Sequence, residues 1–424
     1  MPQARNPSIF NLRTKWGHML HQGETEQPLR PLSAWQKAII AFANVAMGAG
    51  MTINFVVVAP LAREAGLTEI EVAGILTLSA AIYALMIPQW GRWADRFGRK
   101  RVMVFSLMAM AGTNTLFVLA LKAALAGLVT GLSTFFLLAF MRLWFGLLSP
   151  GLQPAAMAAM TDATTPATRA GGLGMLSAGM ALGSILGPAG SSVLAKLGAL
   201  APIWGSIIFC AVAGVIIAFA LPKSRGHRDS SRPEPLRMRD PRVFPHLAFL
   251  LCYFIAVGAI QQTLAWLMED RFEIAQAETV QAVGIVFSCM AVMMIIVQFG
   301  YVQRLNPSPR KILPIGLALI GAGYIGAALL NDFTAMCAAF CLVGAGSAMS
   351  VPAANALGSL SVERHEQGKA AALLSAAPPS GFIFGPLLGA ALYTLDSRLP
   401  LFVSAAMMLS LLGYRLIRET RRAV

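Results

Sequence analysis

Few polar side chains interrupt the long apolar runs of this sequence, and their types bound the chemistry open to it. Arg142 is the one full charge well inside such a run; Asn54, Gln153, Gln261, Gln262 and Asn355 are amides within others, and Trp266 and Tyr253 are aromatic rings carrying a polar group. An amide donates and accepts hydrogen bonds, and a guanidinium holds an anion, but neither supplies a nucleophile or a general base at neutral pH. In an apolar medium each must find a partner, so these side chains either bond neighbouring helices or face a wet cavity and whatever solute enters it. Gln261 and Gln262 are adjacent and about 100° apart on a helix, so at most one points squarely into a cavity. Carboxylates are missing from the interior of the runs. Glu64, Glu69, Glu71, Glu269, Asp270, Glu273 and Glu278 fall at or beyond one set of ends, Asp95 and Asp162 at the other. A cavity with Arg142 and no acid favours anionic or neutral solutes, carboxylate-bearing metabolites and siderophores among them, over organic cations.

Composition says where these residues live. The chain has 424 residues, 57% of them hydrophobic and 12% charged, against roughly 25% charged in soluble domains. Apolar runs of about twenty residues suit helices that cross a hydrocarbon layer, and alternating strands of a membrane barrel are absent. The runs predict twelve spans near 37–61, 71–92, 101–122, 131–159, 169–195, 200–222, 244–268, 277–302, 311–330, 333–358, 368–393 and 399–418. The net charge of +14 is concentrated in the segments on one side of these spans. That is the positive-inside bias and not a nucleic-acid surface, and it places both termini in the cytoplasm of a bacterial-type inner membrane. The first thirty-odd residues, with His21, Glu24, Glu26 and Arg30, lack an apolar core and read as a cytoplasmic tail. Cys210, Cys252, Cys289, Cys337 and Cys341 fall inside spans without metal-ligand spacing, and no histidine lies within a span, although His246 borders one. No metal and no cofactor is expected. Phosphate-cradling and Ser/His/Asp patterns are likewise missing, so neither an ATP-driven pump nor an enzyme is expected.

The spans fall into two sets. Residues 223–243 form a solvated linker rich in Arg, Ser and Pro, dividing a tail (1–35) and a first bundle (36–222) from a second (244–424). Gly183, Gly187 and Pro188 match Gly381, Gly385 and Pro386 at an offset of 198, and Pro154-Ala155-Ala156 matches Pro352-Ala353-Ala354 at the same offset. A shared register points to a duplicated unit, as in transporters built from parallel repeats. Between the second and third spans lies Gly91-x-x-x-Asp95-Arg96-x-Gly98-Arg99-Lys100-Arg101; its counterpart from Tyr301 to Lys311 keeps Arg304, Arg310 and Lys311 but lacks the acid and both glycines.

The Gly91–Arg101 turn resembles the signature between helices 2 and 3 of the major facilitator superfamily, and the likeness extends over about residues 36–420. Gly174, Gly183, Gly187 and Pro188 resemble the fifth-helix pattern of that superfamily's antiporter branch, with Ser191 and Ser192 where glycines are usual; Arg142 and Gly146 resemble a third signature, with Phe145 where glutamine is usual. The resemblance implies an all-α integral membrane protein of twelve helices in two pseudo-symmetric six-helix bundles, exchanging a small molecule for protons by alternating access. It implies that Asp95 with the arginines beside it clamps the bundles on the cytoplasmic side in the outward-open form, and that helices 5 and 11 are pliant, tightly packed elements where the halves meet. The expected function is export of a small amphipathic or anionic compound by a monomer. Uptake by symport and a non-transporting receptor on the same fold are the alternatives.

Overall fold

The computed structural model describes residues 32–222, 240–363, 366–374 and 376–423, and every regular element among them is helical. The tail at 1–31 and most of the linker, 223–239, lie outside the described residues. The helices are α1 (Ala34–Glu64), α2 (Glu69–Phe97), α3 (Arg99–Leu125), α4 (Leu132–Leu148), α5 (Leu152–Asp162), α6 (Pro166–Leu194) and α7 (Ala201–Ala220) in the first half. The second half holds α8 (Phe244–Phe272), α9 (Gln276–Val297), α10 (Pro309–Leu329), α11 (Phe333–Leu360), α12 (Gln367–Leu374), α13 (Ala377–Tyr393) and α14 (Leu399–Ala423).

Eleven stretches among the described residues are long and apolar enough to cross a membrane, with α4 and α5 together forming one. The eleventh predicted span, 368–393, is instead two short helices, α12 and α13, with Pro378 and Pro379 opening the second. Consecutive prolines remove two backbone donors where an unbroken helix would need them. The fourth span is broken too. Ser149, Pro150 and Gly151 separate α4 from α5, and the Trp90 indole donates to the Leu147 carbonyl (2.8 Å), supplying a partner that the interrupted ladder no longer provides.

Local sequence explains where helices start. Ser33 accepts from the Gln36 amide while Gln36 Oε1 accepts from the Ser33 amide (3.2 and 3.0 Å), a capping box at the head of α1; Thr68 and Glu71 repeat it on α2. Gly98, at φ 97°, makes the reversal from α2 into α3 that a side chain would resist.

The duplication is visible in the packing. In the first half α1 packs on α6, α2 on α4 and α3 on α7; in the second α8 packs on α13, α9 on α11 and α10 on α14, the same pairs in the same order. The halves meet along α1 with α8, α2 with α13 and α6 with α9, the last two contacts being exchanged by the pseudo-twofold. The glycines make the intra-half contacts close. A Cβ on Gly183 would overlap the Val45 carbonyl oxygen, and one on Gly187 would sit 2.8 Å from Ala49 Cα; a Cβ on Gly385 would lie 2.6 Å from the Ile255 carbonyl oxygen. These glycines therefore seat α6 on α1 and α13 on α8, inside each half. The helices themselves, the fifth and eleventh spans, do reach the other half, α6 through α9 and α13 through α2, but on faces other than these glycines. There the serines do the work: Ser192 lies against Gly284 of α9 and its hydroxyl is 3.4 Å from that of Ser288.

Candidate functional site: a polar layer beneath a closed outer end

The end of the molecule bearing Gly98 is called inner here, and the end bearing Arg63 outer. At the outer end the halves are joined by side chains that sequence reading did not single out together. Arg63, in the last turn of α1, donates to both oxygens of Asp270 (2.7 and 3.1 Å) and to Glu269 (3.3 Å) on α8, and pairs with Glu69 at the start of α2 (3.3 Å). The Tyr393 hydroxyl of α13 donates to Asp270 as well (2.7 Å). One turn inward, the Trp266 indole donates to the Ala59 carbonyl (3.2 Å) and stacks obliquely on Tyr393, its centroid 5.6 Å away. Trp266, expected to form an aromatic wall, is thus wholly buried in the closure between α1 and α8.

Immediately inward of this closure lies a layer of amides. Gln262 precedes Trp266 by four residues and Asn54 precedes Ala59 by five, about 6 and about 7.5 Å along their helices. Gln262 is fully buried, and neither its Nε2 nor its Oε1 has a hydrogen-bond partner; Gln261 Oε1 and Asn54 Oδ1 are also buried and unpartnered. Asn54 Nδ2 donates back to the Gly50 carbonyl (2.6 Å). Four orphaned polar atoms on two facing helices are costly at about 1–3 kcal/mol each unless a solute or water completes them. Aromatic rings run inward from the layer: Phe55, next to Asn54, stacks on Phe382 of α13 across the halves (5.3 Å, 20°), and Phe254, about two turns inward of Gln262 on α8, lies 6.3 Å from Phe382. Tyr253, expected as a wall, packs edge-on to Phe254 at 5.1 Å. The described carboxylates all fall near helix ends or in loops, none beside the amides.

Other expected site residues lie elsewhere. Asn355 is exposed on the inner part of α11, its amide donating to the Val351 carbonyl (3.0 Å), and Gln153 is half-buried at the start of α5. Neither is brought to the layer of Asn54 and Gln262. Arg142 is buried inside the first half: Nη1 donates to Asn114 Oδ1 of α3 (3.3 Å), and the guanidinium lies 4.2 Å from the Phe117 ring centre and 5.3 Å from that of Phe145. Asn114 is the partner that sequence reading lacked. Phe145, standing where glutamine is usual, turns a hydrogen-bonding position into a cation–π one. Lysine is less able to lie flat between two rings, so Arg142→Lys is expected to cost about 1–3 kcal/mol, read as a lowered detergent melting temperature.

At the inner end Arg99 is buried between two acids, Asp95 of α2 (3.2 Å) and Asp162 of α5 (3.1 Å). Arg96 lies over the neighbouring Phe97 ring (5.5 Å), Arg101 is exposed, and Gly91 faces Pro154 of α5, where an added Cβ would sit 3.7 Å from that ring. The turn thus ties α2, α3 and α5 together within the first half. In the second half Arg242 pairs with both Asp240 (2.9 Å) and Glu366 (2.8 Å), and the guanidinium holds the Asp240 carboxyl below the usual carboxylate range.

Comparison with known proteins agrees with this architecture. A profile of the Major Facilitator Superfamily matches residues 40–307 and 273–424. Multidrug resistance protein 2 of Bacillus subtilis (strain 168) is 26% identical over 362 residues, covering 82% of this chain and 86% of that protein. The class G tetracycline resistance protein of Vibrio anguillarum is 26% identical over 379 residues, covering 84% and 90%. Among solved structures, a bacterial homologue of the human lysosomal transporter Spinster, inward-facing and occupied, superposes with a TM-score of 0.66 at 13% identity, covering 92% of this chain and 97% of that one. Matched through both halves and built as a packed duplicate, this multi-pass membrane chain belongs to the Major Facilitator Superfamily of transporters, and not to an enzyme family.

Proposed function

We propose that the protein exports small amphipathic molecules, neutral or anionic, from the cytoplasm of a bacterial-type cell in exchange for protons. Support for export comes from the relatives, which are named for multidrug and tetracycline resistance. The observation that carries the substrate class is the buried amide layer of Asn54, Gln261 and Gln262, with the rings of Phe55, Phe382 and Phe254 running inward from it and no carboxylate beside it among the described residues. Such a layer completes its hydrogen bonds with an uncharged or anionic polar group and stacks an apolar ring on the phenylalanines. Nothing there neutralises a cation. Metabolites carrying carboxylates, siderophores included, suit it on the same grounds.

In this reading the closed outer end belongs to the inward-facing form of a monomer whose halves rock about the layer, with both termini cytoplasmic. Asp95, Arg96, Arg99 and Arg101, on the frame of Gly91 and Gly98, serve the inner clamp. The stacks of Gly183, Gly187 and Pro188 on α1, and of Gly381, Gly385 and Pro386 on α8, keep each half rigid while it moves.

Counterflow in proteoliposomes tests it, with tetracycline as the amphipathic probe and tetraphenylphosphonium as the permanent cation. Tetracycline exchange that saturates, with little phosphonium exchange, is expected. Phosphonium exchange equal to that of tetracycline would overturn the substrate class; saturable binding without accelerated exchange would overturn transport. Gln262→Ala should raise the KM for tetracycline about threefold to tenfold, the worth of roughly one hydrogen bond, with the melting temperature little changed.

A further inference from the structure

At the outer closure, one arginine faces three acids. Arg63 holds Asp270, Glu269 and Glu69, contributed by the two halves, with one positive charge against three ionisable carboxyls. Their environments differ. Asp270 accepts from two Arg63 nitrogens and from Tyr393, so its charge is well met. Glu69 sits in the first turn of α2, where the helix dipole favours an anion. Glu269 has neither advantage. It lies in the outer, C-terminal part of α8, where the dipole opposes an anion, and its side chain is 13% exposed against 38% for Asp270. Only one of its oxygens meets Arg63, at 3.3 Å; the other, Oε1, is buried with no cation on it, and the Thr279 hydroxyl of α9, the neutral donor within reach of this carboxyl, is shared with the Ala275 carbonyl. Arg271, next along α8, is turned away onto the Ala327 and Leu330 carbonyls and Asn331. No second cation reaches Glu269 from the described elements packed against it.

We propose that Glu269 is the group that carries the exchanged proton: it binds the proton from the outer solution as Arg63 draws the halves together, and releases it inward once the outer end is closed. Closing the outer end brings the carboxyls of α2 and α8 onto one guanidinium and strips water from them. A proton added to Glu269 Oε1 forms an O–H bond there and leaves one cation between two carboxylates, which lowers the repulsion opposing closure. Release requires a polar route inward. The unpartnered atoms of Gln262, Gln261 and Asn54 stand two turns inward on α8 and on the facing α1, where bound water or cargo joins them. Proton and cargo thereby act on one closure from its two sides, which is what exchange requires. The inference rests on the antiport reading above.

The test needs no cargo. Spin labels at Leu128→Cys and Leu395→Cys, exposed outer positions on the two halves, report the outer opening by electron–electron distance. In the parent, acidification from about pH 8 to about pH 5, the range over which carboxyls in such sites titrate, should shift the population towards the short distance. Glu269→Gln, neutral throughout, should give the short distance at both pH values, and Glu269→Asp should keep the response with a displaced midpoint. An unchanged parent distance, or a Glu269→Gln response matching the parent, overturns the proposal; should Glu269→Gln not fold, an undisplaced midpoint in Glu269→Asp does the same. A parallel measurement separates the two readings. If a pH gradient drives parent uptake of tetracycline into acid-interior vesicles while Glu269→Gln keeps the parent distance response, the Glu269 assignment falls alone; if no gradient drives the parent, the antiport reading falls.

Discussion

Gly183→Val should abolish most of the folded protein, seen as loss of the monodisperse peak and of a cooperative melt in detergent, while Gly171→Ala and Gly190→Ala leave both intact. The contrast isolates packing from any general intolerance of helix substitutions. At Gly171 and Gly190 an added Cβ meets nothing within 4 Å, and alanine is the better helix former. At Gly183 the Cβ overlaps the Val45 carbonyl and reaches within 2.8 and 2.9 Å of the Val45 carbon and the Ala49 nitrogen, all backbone. Backbone of a neighbouring helix cannot swing aside as a side chain does, so α6 must lift from α1. Overpacking of this kind costs about 1–3 kcal/mol at sites that relax, and more where backbone meets backbone. Gly187, one turn on, and Gly48 opposite, whose Cβ would overlap the Met180 carbonyl, hold the same line of contact, so the loss propagates along the helix pair. Gly381→Val should repeat the result in the second half by driving α13 off Phe254 and Ile255. A normal melt for Gly183→Val would mean that α6 and α1 do not pack this way.

The residues that announced themselves in the sequence are those whose role is local or repeated. Gly91–Arg101 lies within eleven consecutive positions, and its reversal at Gly98 follows from backbone freedom alone. The glycine repeat was legible because both copies serve the same contact in equivalent helix pairs, although which pair they join was not: small-residue spacing reports close approach without naming the partner helix. Asn54, Gln261 and Gln262 were legible as amides in apolar runs. Arg63, Glu269 and Asp270 were not. Each reads as an ordinary charge at a helix end, and positions 63 and 269 meet only when the two halves close. A cation at an outer helix end, with two consecutive acids at the corresponding end of the seventh span, was the available sign. Asn114 and Phe382 were hidden for a similar reason, since an isolated polar or aromatic residue carries no periodic signal of what it touches. The break in the eleventh span was marked by Pro378 and Pro379, yet hydropathy averaged over a window runs straight through them.

Asp95→Asn should lower tetracycline counterflow more than about tenfold, at least ~1.4 kcal/mol in the rate-determining step, while the detergent melting temperature stays within a few degrees of the parent. Both halves of this expectation come from Arg99. Its guanidinium is buried to 6% exposure and has two carboxylates, Asp95 across the Gly98 reversal and Asp162 at the end of α5. Removing one charge leaves the other pair in place, and asparagine keeps the shape and an acceptor oxygen, so the first half still folds. What changes is the charge at the junction of α2, α3 and α5, the elements that move together in the proposed closure of the inner end against the second half. A junction that has lost part of its charge still packs but no longer distinguishes the two forms as sharply, and transport depends on that distinction. Arg99→Met makes the complementary test. It takes away the buried cation that lies between Asp95 and Asp162, so it should cost about 1–3 kcal/mol of stability as well as transport. If Asp95→Asn exports normally, the turn is a structural tie and no clamp; if it fails to fold while Arg99→Met folds, the charge arrangement at this junction is wrong.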